Sequence, residues 1–346
     1  MLRTIRVSAR CYPLALVRQS SSQALLTLGH VAAPLRVLVV GDGNFSYARA
    51  LTCATSATIL ATSYDTRNAL AAMYPTAPAN IAAIASPHAV RHGVDATVLE
   101  RYDDLPAPFD RIVFNFPHSY AADGGRHNKI SQHRQLLTQF FKVPHACWPL
   151  TGKSGSLSTI QRKPGDTWQV AQCAASARLL LTAVEPFPVH DLQALGYESA
   201  GYRLGAKGFH TDGSLVHVFC RDDQDNVRAA FSLQWTRDVS FWAAKSDLST
   251  AAYHDALHEL LRRVWFGAID VRGVRCVDEY TCPATLRKSL CFRVALETYT
   301  KAYSDADMVA LLATAGRAMS EANLGEYRAP VSGPSQPTSM TPSCAL

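Results

Sequence analysis

The chain has 346 residues, 48% of them hydrophobic and 18% charged, which is material enough for two domains with buried cores. No apolar run approaches the roughly 18 residues of a membrane span, and a formal net charge of +6 is modest for this length. The nine cysteines are scattered without a CxxC pair, which argues against a disulfide framework and a zinc site and predicts reduced thiols inside a cell, with no metal and no membrane among the partners.

Residues 1–30 carry Arg3, Arg6, Arg10 and Arg18, and no acidic residue precedes Asp42. Arg3, Arg6 and Arg10 recur at helical spacing opposite Leu2, Ile5 and Ala9, Pro13 stops that helix, and Ser20-Ser21-Ser22 follows. An amphipathic, Arg- and Ser-rich, acid-free leader predicts a mitochondrial presequence and a matrix location. Without its four arginines the remainder carries about +2, so contacts to a polyanion must come from local patches.

Beyond the leader, RVLVV at 36–40 predicts a buried parallel strand, 45–53 a helix, 57–61 a second strand and 66–74 a helix ending before Pro75. Strands follow at 89–94 and 111–115, a helix at 129–141, a strand at 155–160, a helix at 168–177, and strands at 179–184 and 215–220. This alternation predicts an α/β domain over 31–232 with a parallel sheet covered on both faces. The order then changes: a short strand at 239–242, a helix at 253–265, β-rich runs at 267–277 and 289–297, a helix at 305–323 and an extended end at 324–328. That βαββαβ order predicts an α+β ferredoxin-like domain over 233–328. The Pro/Ser/Thr-rich residues 329–346 are expected to be disordered.

Three clusters end apolar strands of the first domain, the edge where ligands bind in open parallel sheets. Gly41 and Gly43 allow a sharp turn with backbone N–H groups close to a ligand. Asp65 can accept hydrogen bonds from both hydroxyls of a ribose, and Asp95 is placed for an adenine amine. Order and spacing point to an S-adenosylmethionine (SAM) pocket. Asn115-Phe116-Pro117-His118 ends the fourth strand and suits a planar, nitrogen-containing acceptor. The amide orients its edge, the ring stacks on its face, and His118 assists proton removal, an imidazole titrating near neutrality.

VVGDGNFSYARAL (39–51), ATSYDT (61–66), HGVDAT (92–97) and FDRIVFNFPH (109–118) resemble the signature blocks of the rRNA uridine-N3 methyltransferase family. The helix from Lys129 to Phe141 and the Pro164-Gly165-Asp166-Thr167-Trp168 turn are similar to that family too, over roughly residues 36–220. The resemblance implies a Rossmann-like SAM methyltransferase fold. It implies that Gly41, Asp42, Gly43, Asn44, Phe45, Ser46, Asp65 and Asp95 hold SAM and that Asn115, Phe116, Pro117 and His118 face the target base. Residues 237–242, 257–260, 277–281 and 288–294 resemble the ferredoxin-fold anticodon-binding domain, which grips a tRNA stem. The loop 282–287 departs from that domain's acid-to-arginine pattern.

Basic clusters at the ligand edge predict RNA contacts: Arg126, Lys129 and Arg134, then Arg162 and Lys163, then Lys207 with Phe209. Arg287 and Lys288, with Arg262, Arg263, Arg272 and Arg275, offer a second patch. His254 and His258, four apart on a helix, have no third ligand and read as a solvated face. The expectation is a SAM-dependent RNA base methyltransferase acting on N3 of a uridine in mitochondrial rRNA, with ribosome precursors as partners. Two readings stay open beside it: a non-catalytic RNA-binding ribosome assembly factor, and a tRNA methyltransferase.

Overall fold

The structure is a computed structural model that describes residues 35–105, 108–119, 126–143, 156–161, 168–200, 211, 213–223, 227–245 and 247–328. The described residues divide into two units between Phe231 and Ser232.

The first unit is built on β1 (Arg36–Val40), β2 (Thr58–Ser63), β3 (Ala89–His92), β4 (Arg111–Phe114), β5 (Ser156–Gln161), β6 (Leu179–Pro186) and β7 (Leu215–Arg221). Their order across the sheet is β3-β2-β1-β4-β5-β7-β6. The last four residues of β1 are all buried, as a strand covered on both faces requires. β1 pairs in parallel with β2 on one side and β4 on the other, so the order reverses beside it. That reversal opens a crevice at the carboxyl ends of β1 and β4.

A wholly parallel sheet is not what forms. β7 runs antiparallel to both β5 and β6. Its first residue, Leu215, pairs with Pro186, the last of β6. Adjacent antiparallel strands need no crossover over the sheet face, so the chain simply returns.

Helices α1 (Ser46–Ala54), α2 (Arg67–Met73), α3 (Ala77–Ala83), α4 (Arg126–Phe141), α5 (Val170–Ala175) and α6 (Val189–Ala194) accompany the sheet. α3 and α6 are short and were not predicted; each lies against α1 rather than announcing itself by a long apolar period. Phe45, Tyr47, Leu51, Ile59, Phe187 and Tyr197 share one buried core, which joins α1 to the segment around α6.

The second unit is a four-stranded antiparallel sheet, β8 (Leu233–Ala243), β9 (Asp270–Thr281), β10 (Lys288–Thr298) and β11 (Gly325–Tyr327), in the order β11-β8-β10-β9. With α7 (Thr250–Val264) and α8 (Asp305–Glu321) this is the ferredoxin-like βαββαβ arrangement. β8 is eleven residues long rather than a short strand at 239–242. Leu233, Trp235, Val239 and Phe241 are buried and alternate with partly exposed residues, but Arg237 and Asp238 break that alternation midway and hide the strand's full length. Ser249 caps α7 by accepting the Ala252 N–H, and Ser304 with Asp307 forms a capping box on α8. Among the described residues no helix is long and apolar enough to cross a membrane.

Candidate functional site

Backbone hydrogen bonds tie three strand ends together at the crevice. Asp42 N–H donates to the Thr62 carbonyl (2.9 Å), Val94 N–H to Ser63 (2.9 Å) and Gly93 N–H to Asp65 (3.3 Å). The Ser63 hydroxyl adds a bond to the Asp65 carbonyl at 2.9 Å. Gly41, Asp65 and Asp95 are thereby fixed along one edge. Gly41 sits at φ +65°, and a Cβ there would come within 2.8 Å of Phe114 Cε2, so the turn admits no larger residue without strain and displacement of the Phe114 ring.

The segment after Gly41 turns most of its side chains into the protein. Asp42 is buried and its Oδ2 accepts the Ala48 N–H at 2.8 Å. Burial pushes its carboxyl up to about 7, against the opposing hydrogen bonds from Ala48 and Phe45. Asn44 donates to the Glu198 carbonyl (3.2 Å) and accepts the Ser46 N–H (3.1 Å). The Ser46 hydroxyl lies 2.8 Å from both Asn44 Oδ1 and the Glu198 carbonyl, and accepts the Glu198 N–H at 2.9 Å. Phe45, at φ 60°, is fully buried and meets His92 edge-on at 5.5 Å. The side chains of Asp42, Asn44, Phe45 and Ser46, all expected among the cofactor contacts, hold the loop that follows β1, whose backbone lines the crevice edge. Gly43 remains half-buried at the turn.

Asp65 is half-buried beyond β2, and Tyr64 beside it is 56% exposed. Asp95 is held more firmly. Its Oδ1 accepts the Thr97 N–H (2.8 Å) and hydroxyl (2.7 Å), and its own N–H donates to the Tyr102 hydroxyl (2.8 Å). That arrangement leaves Oδ2 for a further donor.

Asn115 is half-buried at the end of β4. Both polar atoms of its amide are shielded from water and, among the described residues, lack a partner at hydrogen-bonding geometry, although the Tyr47 hydroxyl faces them. Burial pushes that phenol up to about 12, while Asn115 acts to lower it. Phe116, at φ +50°, meets Phe187 edge-on at 5.4 Å and packs against the core. Pro117 is buried and His118 is exposed.

The expected RNA contacts divide. Arg162, Lys163, Lys207 and Phe209 lie outside the described residues, and Arg126 and Lys129 are described only as backbone of α4. Arg134 is half-buried on α4. In the second unit Lys288 pairs with Glu279 (2.7 Å), Arg287 with Glu326 (2.8 Å) and Arg272 with Glu297 (2.9 Å), so part of that patch is internally neutralised. Arg287 and Arg328 stand over the Trp242 ring at 5.1 and 5.0 Å. His254 bonds Asp255 (2.8 Å) and the Val274 carbonyl (2.9 Å) through its two nitrogens, which leaves neither for a metal. Among the described residues no group of three or more His, Cys, Asp or Glu could hold a metal ion.

Sequence reading missed Tyr47 and Glu198. Tyr47 looks like an ordinary core position of a helix, and Glu198 acts through its backbone, which carries no side-chain signal.

Residues 38–201 match the BMT5-like family model, described as rRNA (uridine-N3-)-methyltransferase BTM5-like. The chain is 35% identical over 206 residues to the human ferredoxin-fold anticodon-binding domain-containing protein 1, covering 55% of this chain and 31% of that protein. It is 29% identical over 189 residues to the heavy metal-associated isoprenylated plant protein 41 of Arabidopsis thaliana, covering 53% and 36%. The chain thus spans about a third of the length of these relatives. Among solved structures, the ribosomal protein L11 methylase of Lactobacillus delbrueckii subsp. bulgaricus is similar at 15% identity, 57% and 76% coverage and a TM-score of 0.34.

Proposed function

We propose that this chain is a SAM-dependent methyltransferase that modifies an RNA base, N3 of a uridine in mitochondrial ribosomal RNA. The observation that carries the reading is the Asn115 amide at the end of β4, opposite the Tyr47 hydroxyl and beside a glycine turn and two strand-end carboxylates, within the segment that matches the methyltransferase family. This donor set fits the cofactor. Asp65 would take the ribose hydroxyls, Asp95 Oδ2 the adenine amine, and the backbone at Gly41 and Gly43 the remainder. S-adenosylmethionine, when bound, supplies an electrophilic methyl group on a cationic sulfur.

The chain's own residues supply orientation and a proton path. A uridine ring presents an N3–H donor between two carbonyl acceptors, and the Asn115 amide N–H can donate to one of those carbonyls, which orients the edge and leaves N3 open to the methyl group. The base must leave its pairing partner to reach a crevice at the sheet edge. Proximity then carries much of the rate. The second unit would add RNA contacts through Arg328 beside Trp242, whereas Lys288 is committed to Glu279 and Arg287 to Glu326.

Asn115→Ala is expected to lower methyl transfer to uridine-containing RNA at least about 100-fold and to leave SAM affinity unchanged. Equal loss of SAM affinity would move Asn115 from the acceptor to the cofactor. Crosslinking the chain to RNA in mitochondria is expected to recover rRNA, and recovery of tRNA alone would favour the tRNA reading.

A further inference from the structure

Three aromatic rings stand in series at the acceptor edge. His118 meets His133 of α4 edge-on, with centroids 5.1 Å apart and planes at 85°. His133 is buried and lies nearly flat on Trp168, at 4.6 Å and 21°. The Trp168 carbonyl accepts the Cys173 thiol at 3.7 Å, and the same thiol lies 3.7 Å from the Arg134 carbonyl. The ring series is therefore anchored where α4 and α5 meet.

An exposed histidine after a strand would ordinarily sample several rotamers. Here its ring stands perpendicular to a second ring in contact with it, and that ring is itself held on a third. Aromatic edges and faces attract in this geometry. An exposed side chain needs no such two-ring support for packing alone.

We infer that His133 and Trp168 are positioning residues for His118, fixing its imidazole where it takes the proton that a pyrimidine ring N–H sheds. The inference rests on the methyltransferase reading above. As the N–C bond forms, its electron pair comes from the N–H bond, and the pair of the breaking C–S bond stays on sulfur. The proton passes to a ring nitrogen of His118 and on to solvent, which His118 touches. His118 is thus the group that meets the base, and Trp168 acts through two intermediary contacts.

The test uses the full chain with Trp168→Ala and Trp168→Phe, reading histidine imidazole NMR signals with and without a uridine hexanucleotide. His118 signals, assigned by His118→Asn, are expected to shift on adding the oligonucleotide to wild type. Trp168→Ala is expected to displace the His118 and His133 signals and remove that response. In turnover, kcat should fall about 100-fold with the RNA KM nearly constant, and the acidic limb of the pH profile should move. Trp168→Phe, which keeps a ring face, is expected to restore kcat to within about threefold. His118 signals unmoved by Trp168→Ala, or no oligonucleotide response in wild type, would overturn the inference, as would equal turnover in Trp168→Ala and Trp168→Phe. Wild type that transfers no methyl group yet shows the expected NMR responses would overturn uridine methylation and leave the positioning of His118 standing.

Discussion

Replacing Asp42 by Asn is expected to stabilise the protein at pH 8 and to flatten its stability between about pH 4 and 7. In the folded state burial raises the Asp42 carboxyl to about 7 from an ordinary value of 3.8. A raised carboxyl favours folding fully below its unfolded value, because both states are then protonated. As pH climbs from about 4 to 7 the unfolded chain releases a proton that the folded chain keeps, and stability falls; above about 7 the loss is complete. The shift corresponds to about 4 kcal/mol at most, and a smaller share is expected once the folded site relaxes. Asn keeps an oxygen for the Ala48 N–H and removes the charge. Urea denaturation of both proteins across pH 4–8 measures the difference. A constant gap between the two curves would mean that Asp42 does not titrate in this window.

Asp65→Ala carries the largest expected effect on binding. Two charge-assisted hydrogen bonds to a ribose diol are worth about 3 kcal/mol or more together, so SAM affinity should drop at least about 100-fold. The side chain is half-buried just beyond β2, and the variant is expected to fold. Calorimetric titration with SAM measures the first and thermal unfolding the second. Unchanged affinity would remove Asp65 from the site.

The two predictions treat neighbouring acids in opposite ways, and the sequence alone did not separate them. Glycine turns and acids at strand ends are visible in a linear reading because the strands themselves are apolar runs. Which way a side chain points is not, where its partner is remote. Asn44 and Ser46 turn inward because the backbone of Glu198, more than 150 residues away, completes their hydrogen bonds. That Phe116 meets Phe187 is likewise invisible in NFPH, because the partner lies in a distant part of the chain. The ring series escaped for the same reason: His133 lies within the predicted helix at 129–141 and Trp168 at the end of the 164–168 turn, and only folding brings them together. The reversal of β7 was illegible too, because an apolar run has no direction until its neighbours are known.

The proposed reaction carries a methyl group from SAM to a uridine at the crevice formed by the ends of β1 to β4. Incubating the full chain with methyl-labelled SAM and mitochondrial rRNA, then digesting the RNA to nucleosides, tests it directly. The expected result is label in N3-methyluridine alone, lost in Asn115→Ala. Label confined to another nucleoside, or none with SAM demonstrably bound, would contradict it.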